Sequence, residues 1–83
     1  MPGTVRVKFF ARYAELVWRE EAELAVPLPA TVGEVVRRVR DEIPGAGQLP
    51  ERPMAAVNLR HVRLDAPVKD GDEVAFLPPL AGG

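Results

Sequence analysis

Eighty-three residues, 47% of them apolar, suffice for one compact domain and leave no room for a second; a chain this short buries only about 60% of its unfolded surface. A net charge of −1 with both signs spread along the chain gives no electrostatic footprint for nucleic acid, and the uncharged runs Leu24 to Gly33 and Val74 to Gly83 fall far short of the ~18 apolar residues of a membrane span. The lack of cysteine excludes disulfides and thiolate-held metal or iron–sulfur centres, and Met1-Pro2-Gly3-Thr4 opens without the apolar stretch of a secretion signal, so a cytoplasmic protein is expected.

From Thr4 to Phe10 apolar and polar residues alternate, placing Val5, Val7 and Phe9 on one face of a half-buried strand and leaving Phe10 as an apolar residue on the other. Ala11 to Val17 suits a short helix, with Phe10, Ala14 and Val17 at helical spacing. Glu20 to Pro27 alternates again, with Ala22, Leu24 and Val26 inward, and Pro27 and Pro29 end it. Thr31 and Glu34 form a capping box ahead of the stripe Val32, Val35, Val36, Val39 and Ile43, which predicts the main helix; Pro44-Gly45 stops it. Gly45 to Pro53 reads as a loop, Met54 to Leu59 as a buried strand, Val62 to Leu64 as a short edge strand and Asp70-Gly71-Asp72 as a turn. The last strand sets Val74 and Phe76 against Glu73, Ala75 and Leu77. These elements imply an α+β domain: an antiparallel-rich sheet with one main helix packed across one face and a short helix after the first strand.

Side chains offer little for catalysis. There is no serine or cysteine, and Thr4 and Thr31 are the only aliphatic hydroxyls, Thr31 being committed to the helix cap. His61 is the single histidine, so no histidine cluster exists for a metal, and it reads as a solvated surface residue. Gly45-Ala46-Gly47 lacks the third glycine and the preceding strand of a dinucleotide loop. Glu20-Glu21 and the Asp70/Asp72 pair read as a charged strand edge and a turn, and Arg37-Arg38 as a solvated helix face.

The distinctive feature is the end of the sequence. The last strand runs into Leu77-Pro78-Pro79-Leu80-Ala81-Gly82-Gly83, and at ordinary glycine usage two terminal glycines arise by chance in about 0.5% of chains. Pro78-Pro79 cannot continue a ladder and favours an extended geometry that projects the final residues away from the sheet. Without side chains, glycines can enter a narrow channel and bring a carboxylate to a nucleotide. A carboxylate becomes electrophilic once ATP converts it to an acyl adenylate, after which a sulfur or amine nucleophile displaces AMP, so such a chain needs no nucleophile of its own. The expected division is a folded body over residues 1–79 and a flexible tail over 80–83, with Gly83 carrying the reacting carboxylate and Leu80, Ala81 and Gly82 threading. Phe10 and Leu77 are both out of phase with the core faces of their own strands, so both are expected to be exposed and, with Pro78 and Pro79, to bind a partner.

Three segments carry a resemblance to a known family: Val7-Lys8-Phe9-Phe10-Ala11 with Glu15-Leu16, then Ala56-Val57-Asn58, and Asp70 to Pro79 leading to Gly82-Gly83. Over nearly its whole length the chain resembles the MoaD family, the small subunit of molybdopterin synthase among the ubiquitin-like sulfur carriers. Ala14 departs from the pattern, since many members have arginine before Glu-Leu. The resemblance implies a β-grasp (ubiquitin-like) fold with a mixed sheet of four to five strands, in which the first and last strands are neighbours, so that Phe10 and Leu77 would lie together on the sheet face opposite the helix. It implies that a MoeB-like adenylating enzyme activates Gly83 with ATP, that no cofactor is permanently bound, and that the resulting thiocarboxylate donates sulfur to cyclic pyranopterin monophosphate in a MoaE-like large subunit, within a heterotetramer. Catalytic side chains would belong to that subunit, so the chain alone would not be an enzyme. The thiazole-forming carrier ThiS, a carrier for tRNA thiolation, a protein-conjugating modifier and a passive ubiquitin-like interaction module are the alternatives; Phe9-Phe10-Ala11 and Pro78-Pro79 favour MoaD.

Overall fold

Alternation of valines with charged residues makes β1 (Pro2–Phe9) a strand with one dry face: Val5, Val7 and Phe9 are buried and Arg6 is exposed. The computed structural model describes residues 1–79, so the expected tail, Leu80, Ala81, Gly82 and Gly83, lies outside the described residues. After β1 the backbone turns sharply at Ala11 (φ 49°), leaving Phe10 outside both neighbouring elements, and α1 (Arg12–Val17) follows. The inward face of α1 differs from the expected one. Tyr13 and Val17, four apart, are buried, whereas Ala14 is half-buried and Phe10 exposed, because the Ala11 turn breaks the register that would have joined Phe10 to the helical stripe. Trp18 ends the helix in a left-handed conformation (φ 59°).

β2 (Glu21–Pro27) returns antiparallel to β1, in register from Lys8↔Glu21 to Pro2↔Pro27, with Leu24 and Val26 buried. The two-residue β3 (Ala30–Thr31) then leads into α2 (Val32–Glu42). Thr31 caps α2, its hydroxyl accepting from the Glu34 amide at 3.3 Å. Two more first-turn amides find backbone partners: Val32 donates to Ala66 and Gly33 to Leu64 at 2.9 and 2.8 Å. The buried stripe is Val32, Val35, Val36, Val39 and Ile43, as its spacing predicts.

The expected loop from Gly45 to Pro53 has structure of its own. A 3₁₀ turn, Ala46–Gln48, buries Ala46 and Leu49, and the Arg40 guanidinium donates to the carbonyls of Leu49 and Gly47 at 3.0 and 3.3 Å. The buried strand is shorter than expected: β4 spans Met54–Val57, because Asn58 (φ 49°) and Leu59 (φ 72°) make a tight two-residue turn into β5 (Arg60–Val62). The edge strand accordingly lies at 60–62 instead of 62–64. β6 (Pro67–Val68) pairs with β3 in a small second sheet with no counterpart in the expected elements.

The last strand, β7 (Glu73–Leu77), lies parallel to β1 (Phe9↔Phe76) and antiparallel to β4 (Met54↔Leu77). The main sheet has the order β2-β1-β7-β4-β5, two hairpins joined through a central parallel pair with α2 packed across one face. This is the β-grasp arrangement, a mixed sheet of five strands. One core links Val5, Val7, Phe9, Leu24, Val74 and Phe76 to the α2 valines; the Phe9 and Phe76 rings tilt against each other at 6.3 Å. No helix among the described residues is long and apolar enough to cross a membrane.

Gly45 and Gly71 share φ +86° but differ in surroundings: a Cβ on Gly45 would strike the Leu16 carbonyl oxygen, whereas one on Gly71 meets nothing. Gly71→Ala is expected to cost about 1–2 kcal/mol, the left-handed penalty alone, and Gly45→Ala at least roughly twice that. Urea denaturation of the two variants checks this; equal losses would show that α1 does not pack on the turn after α2 as described.

Candidate functional site

The site is built around the exit of β7, and its position depends on how β7 is held at its start. The Asp70-Gly71-Asp72 turn is tied to two strands at once. The Asp70 carboxylate accepts from the Thr4 amide at 2.8 Å, the Gly71 amide donates to the Thr4 carbonyl at 2.7 Å and the Arg6 amide to the Asp72 carbonyl at 2.9 Å. On the other side, Asn58 donates from its side-chain amide to the Asp72 carboxylate at 2.9 Å and accepts from the Glu73 amide at 3.0 Å. The Asp72 carboxylate also accepts from the Lys69 amide at 2.8 Å. These charge-assisted contacts close a bridge from the β4–β5 turn through β7 to β1. Asp70 and Asp72 are thus turn residues with committed carboxylates, as expected, and Asn58 is their fixed partner.

At the far end of β7 the outer face of the sheet carries an apolar groove. Phe10 (44% exposed) and Met54 (49% exposed) flank the half-buried Leu77, and Pro78 and Pro79 continue from it. The structure therefore brings together Phe10, Leu77, Pro78 and Pro79, the four described residues singled out for binding, although Leu77 is less exposed than its phase suggested. The Met54↔Leu77 pairing explains why: Met54 covers one side of Leu77. Below this row Ala75 and Ala56 face each other, both nearly covered yet outside the main core. The methyl-sized side chains keep the outer face flat beneath the groove.

Sequence reasoning missed Met54, which falls in Met54-Ala55-Ala56-Val57, a run apolar at every position that gives no alternation to assign a face. It also passed over Arg12, at the start of α1, which lines the groove too. His61, read as a solvated residue, is exposed at the groove's rim. Among the described residues no group of three His, Asp or Glu could hold a metal ion. The nearest ion pair on the same face, Lys8–Glu73 at 3.5 Å, is solvent-exposed enough to be worth little. What the arrangement can do chemically is dock: it offers an apolar surface beside the point where the chain leaves the sheet.

Comparison with known proteins matches residues 7–83 to the ThiS family. The chain is 38% identical over 80 residues to the molybdopterin synthase sulfur carrier subunit of Escherichia coli, spanning 95% of this chain and 99% of that protein. Among solved structures, SAMP1 from Haloferax volcanii superposes with a TM-score of 0.82 at 27% identity, covering 98% of this chain and all of that one (100%). A chain of the complex of subunits 1 and 2 of molybdopterin-converting factor from Helicobacter pylori superposes with a TM-score of 0.64 at 27% identity, covering 96% of this chain and 99% of its own.

The two adjacent phenylalanines occupy opposite environments, Phe9 at 2% exposure and Phe10 at 44%. Phe9→Ala should destabilise the fold by about 3–5 kcal/mol, and Phe10→Ala by less than about 1 kcal/mol. Thermal melts of both variants read this directly, and a comparable loss in Phe10→Ala would place that ring in the core.

Proposed function

The chain belongs to the ThiS family, and from that membership we propose that it is a sulfur carrier, the small subunit of a molybdopterin synthase, with its reacting group at Gly83. One observation carries the reading: the family match runs through Gly83, and the strand that leads to it is pinned between β1 and β4 so that residues 80–83 follow directly from a docking groove. The identity to the Escherichia coli carrier supports molybdopterin synthesis, and an equal 38% identity to small archaeal modifier protein 3 of Haloferax volcanii keeps protein conjugation as the second reading. The Helicobacter pylori complex supports a large-subunit partner; we extend this to a heterotetramer and to a separate MoeB-like adenylating enzyme.

In the proposed cycle the Gly83 carboxylate attacks the α-phosphate of ATP on the activating enzyme, releasing pyrophosphate and forming an acyl adenylate. A sulfur nucleophile then displaces AMP and leaves a thiocarboxylate. In the large subunit the thiocarboxylate sulfur bonds to cyclic pyranopterin monophosphate, and water cleaves the thioester so formed, leaving the sulfur on the acceptor and restoring the Gly83 carboxylate; two such transfers build the dithiolene. ATP is the activating enzyme's substrate and is not held by this chain, and its supply fits a cytoplasmic location. The carrier contributes no acid, base or nucleophile from its side chains; its physical task is delivery. Ordering Leu80, Ala81, Gly82 and Gly83 in a channel costs roughly 1–2 kcal/mol per residue, or about 4–8 kcal/mol altogether, and glycine contacts return little of it. The folded body must therefore supply the docking energy, and burial of Phe10 or Leu77 contributes roughly 1.5–3 kcal/mol each.

Incubation with the adenylating enzyme, ATP and a sulfur source should exchange one terminal oxygen of Gly83 for sulfur, read by intact-mass spectrometry. An unchanged mass where a known carrier is charged would falsify the carrier assignment. Deleting Gly83 or adding one residue after it should abolish transfer without altering the thermal melt, since the core residues of the described part lie between Val5 and Phe76. Phe10→Ala or Leu77→Ala should weaken binding to the large subunit at least about tenfold by titration calorimetry. A chain that is charged with sulfur yet has no affinity for the large subunit would instead serve one of the alternative acceptors.

A further inference from the structure

Two grooves flank the point where the chain leaves β7. One is the apolar groove of the outer sheet face, with Phe10, Met54 and Leu77; the other lies beside α1, against Tyr13, Glu15, Leu16 and Pro50. Arg12 and Pro79 line both. We propose that Arg12 is a recognition residue for the large subunit, and that the surface received here is apolar at its centre and presents a carboxylate at the rim where Arg12 stands. The inference rests on the docking role proposed above and adds to it the charge that the partner must carry.

The first argument is that Arg12 has no internal employment. Its side chain is exposed and makes no ion pair or hydrogen bond among the described residues, as is also true of Arg37, Arg52 and Arg60, but Arg12 is the arginine that lines the outer-face groove. Its place does not favour the helix either, since a cation in a first turn opposes the helix dipole. The second argument concerns what docking does to it. No carboxylate lines the outer-face groove, where His61 is the other titratable group; Glu15, three residues on, lines the second groove and makes no ion pair with Arg12, so a purely apolar partner on the outer face would strip water from a guanidinium with nothing to replace it. That desolvation is costly unless a carboxylate meets it, and a guanidinium is suited to a two-pronged contact.

Gly83 is a poor candidate for that carboxylate in the engaged state. Four residues threaded in extended form reach roughly 13 Å beyond Pro79, well past an arginine side chain rooted beside Pro79. Arg12 therefore acts on docking and leaves the reacting terminus alone, which separates its signature from that of the tail. It steers encounter and fixes orientation, so its contribution is screened by salt.

The test is titration of the large subunit with wild type, Arg12→Gln, Arg12→Glu and, as a control on the opposite helix, Arg37→Gln, at low and high salt. The wild-type affinity should fall as salt rises; Arg12→Gln should bind about fivefold to tenfold more weakly with a shallower salt dependence, and Arg12→Glu more weakly still. Arg37→Gln should match wild type in affinity, and no variant should melt below wild type, since loss of the Arg12 cation relieves its opposition to the helix dipole. If Arg12→Glu binds within about twofold of wild type while Phe10→Ala is weakened, the apolar docking reading stands and the assignment to Arg12 is overturned. If neither position matters, both fall together.

Discussion

Everything functional in this molecule depends on one strand being held at both edges. β7 lies between β1 and β4, parallel to one and antiparallel to the other, so its register is set twice. A slip of one residue would turn Val74 and Phe76 out of the core and Leu77 into it, which the packing around Phe76 forbids. The turn before β7 adds a third restraint, because Asp70, Asp72 and Asn58 bind its start to the flanking strands through side-chain contacts. A strand fixed this way leaves the sheet at a defined point and in a defined direction, and Pro78-Pro79 then carries the chain outward without a further ladder.

Rigidity at the base and simplicity at the end divide the work. The body holds the aromatic and aliphatic side chains that can lower the free energy of association, while Ala81, Gly82 and Gly83 carry at most a methyl group, which suits the confined site proposed for them. The absence of serine and cysteine becomes intelligible in these terms: a carrier activated by its own carboxylate needs no nucleophilic side chain. Residues at the groove sort by role. Phe10 and Met54 give area, Leu77 gives continuity with the strand, and Arg12 gives a charge at the rim.

Much of this was legible in the sequence where one physical rule governed a segment. The period-two pattern of Val5, Val7 and Phe9 and the capping box at Thr31 and Glu34 are local signals, and the structure matches them residue by residue. The juxtaposition of Phe10 and Leu77 needed more than phase: the adjacency of first and last strands came with the family resemblance, and the β1–β7 pairing bears it out. What escaped was set by tertiary context. The positive φ at Ala11, Asn58 and Leu59 falls on residues that do not advertise it, so α1's face and the β4–β5 turn were displaced. The segment from Gly45 to Pro53 looked like a loop because its order comes from Arg40 and the burial of Ala46 and Leu49, not from periodicity. The β3–β6 pairing involves strands too short to leave any pattern.

The division between a docking body and a reacting tail is open to direct measurement by competition for the large subunit. The body alone, residues 1–79, and a synthetic peptide of residues 77–83 would each be titrated against the bound full-length chain. If affinity resides in the folded surface, the body displaces the full chain within about tenfold of the full chain's own affinity and the peptide fails to compete. A peptide that competes as well as the full chain, beside a body that does not, would contradict the account.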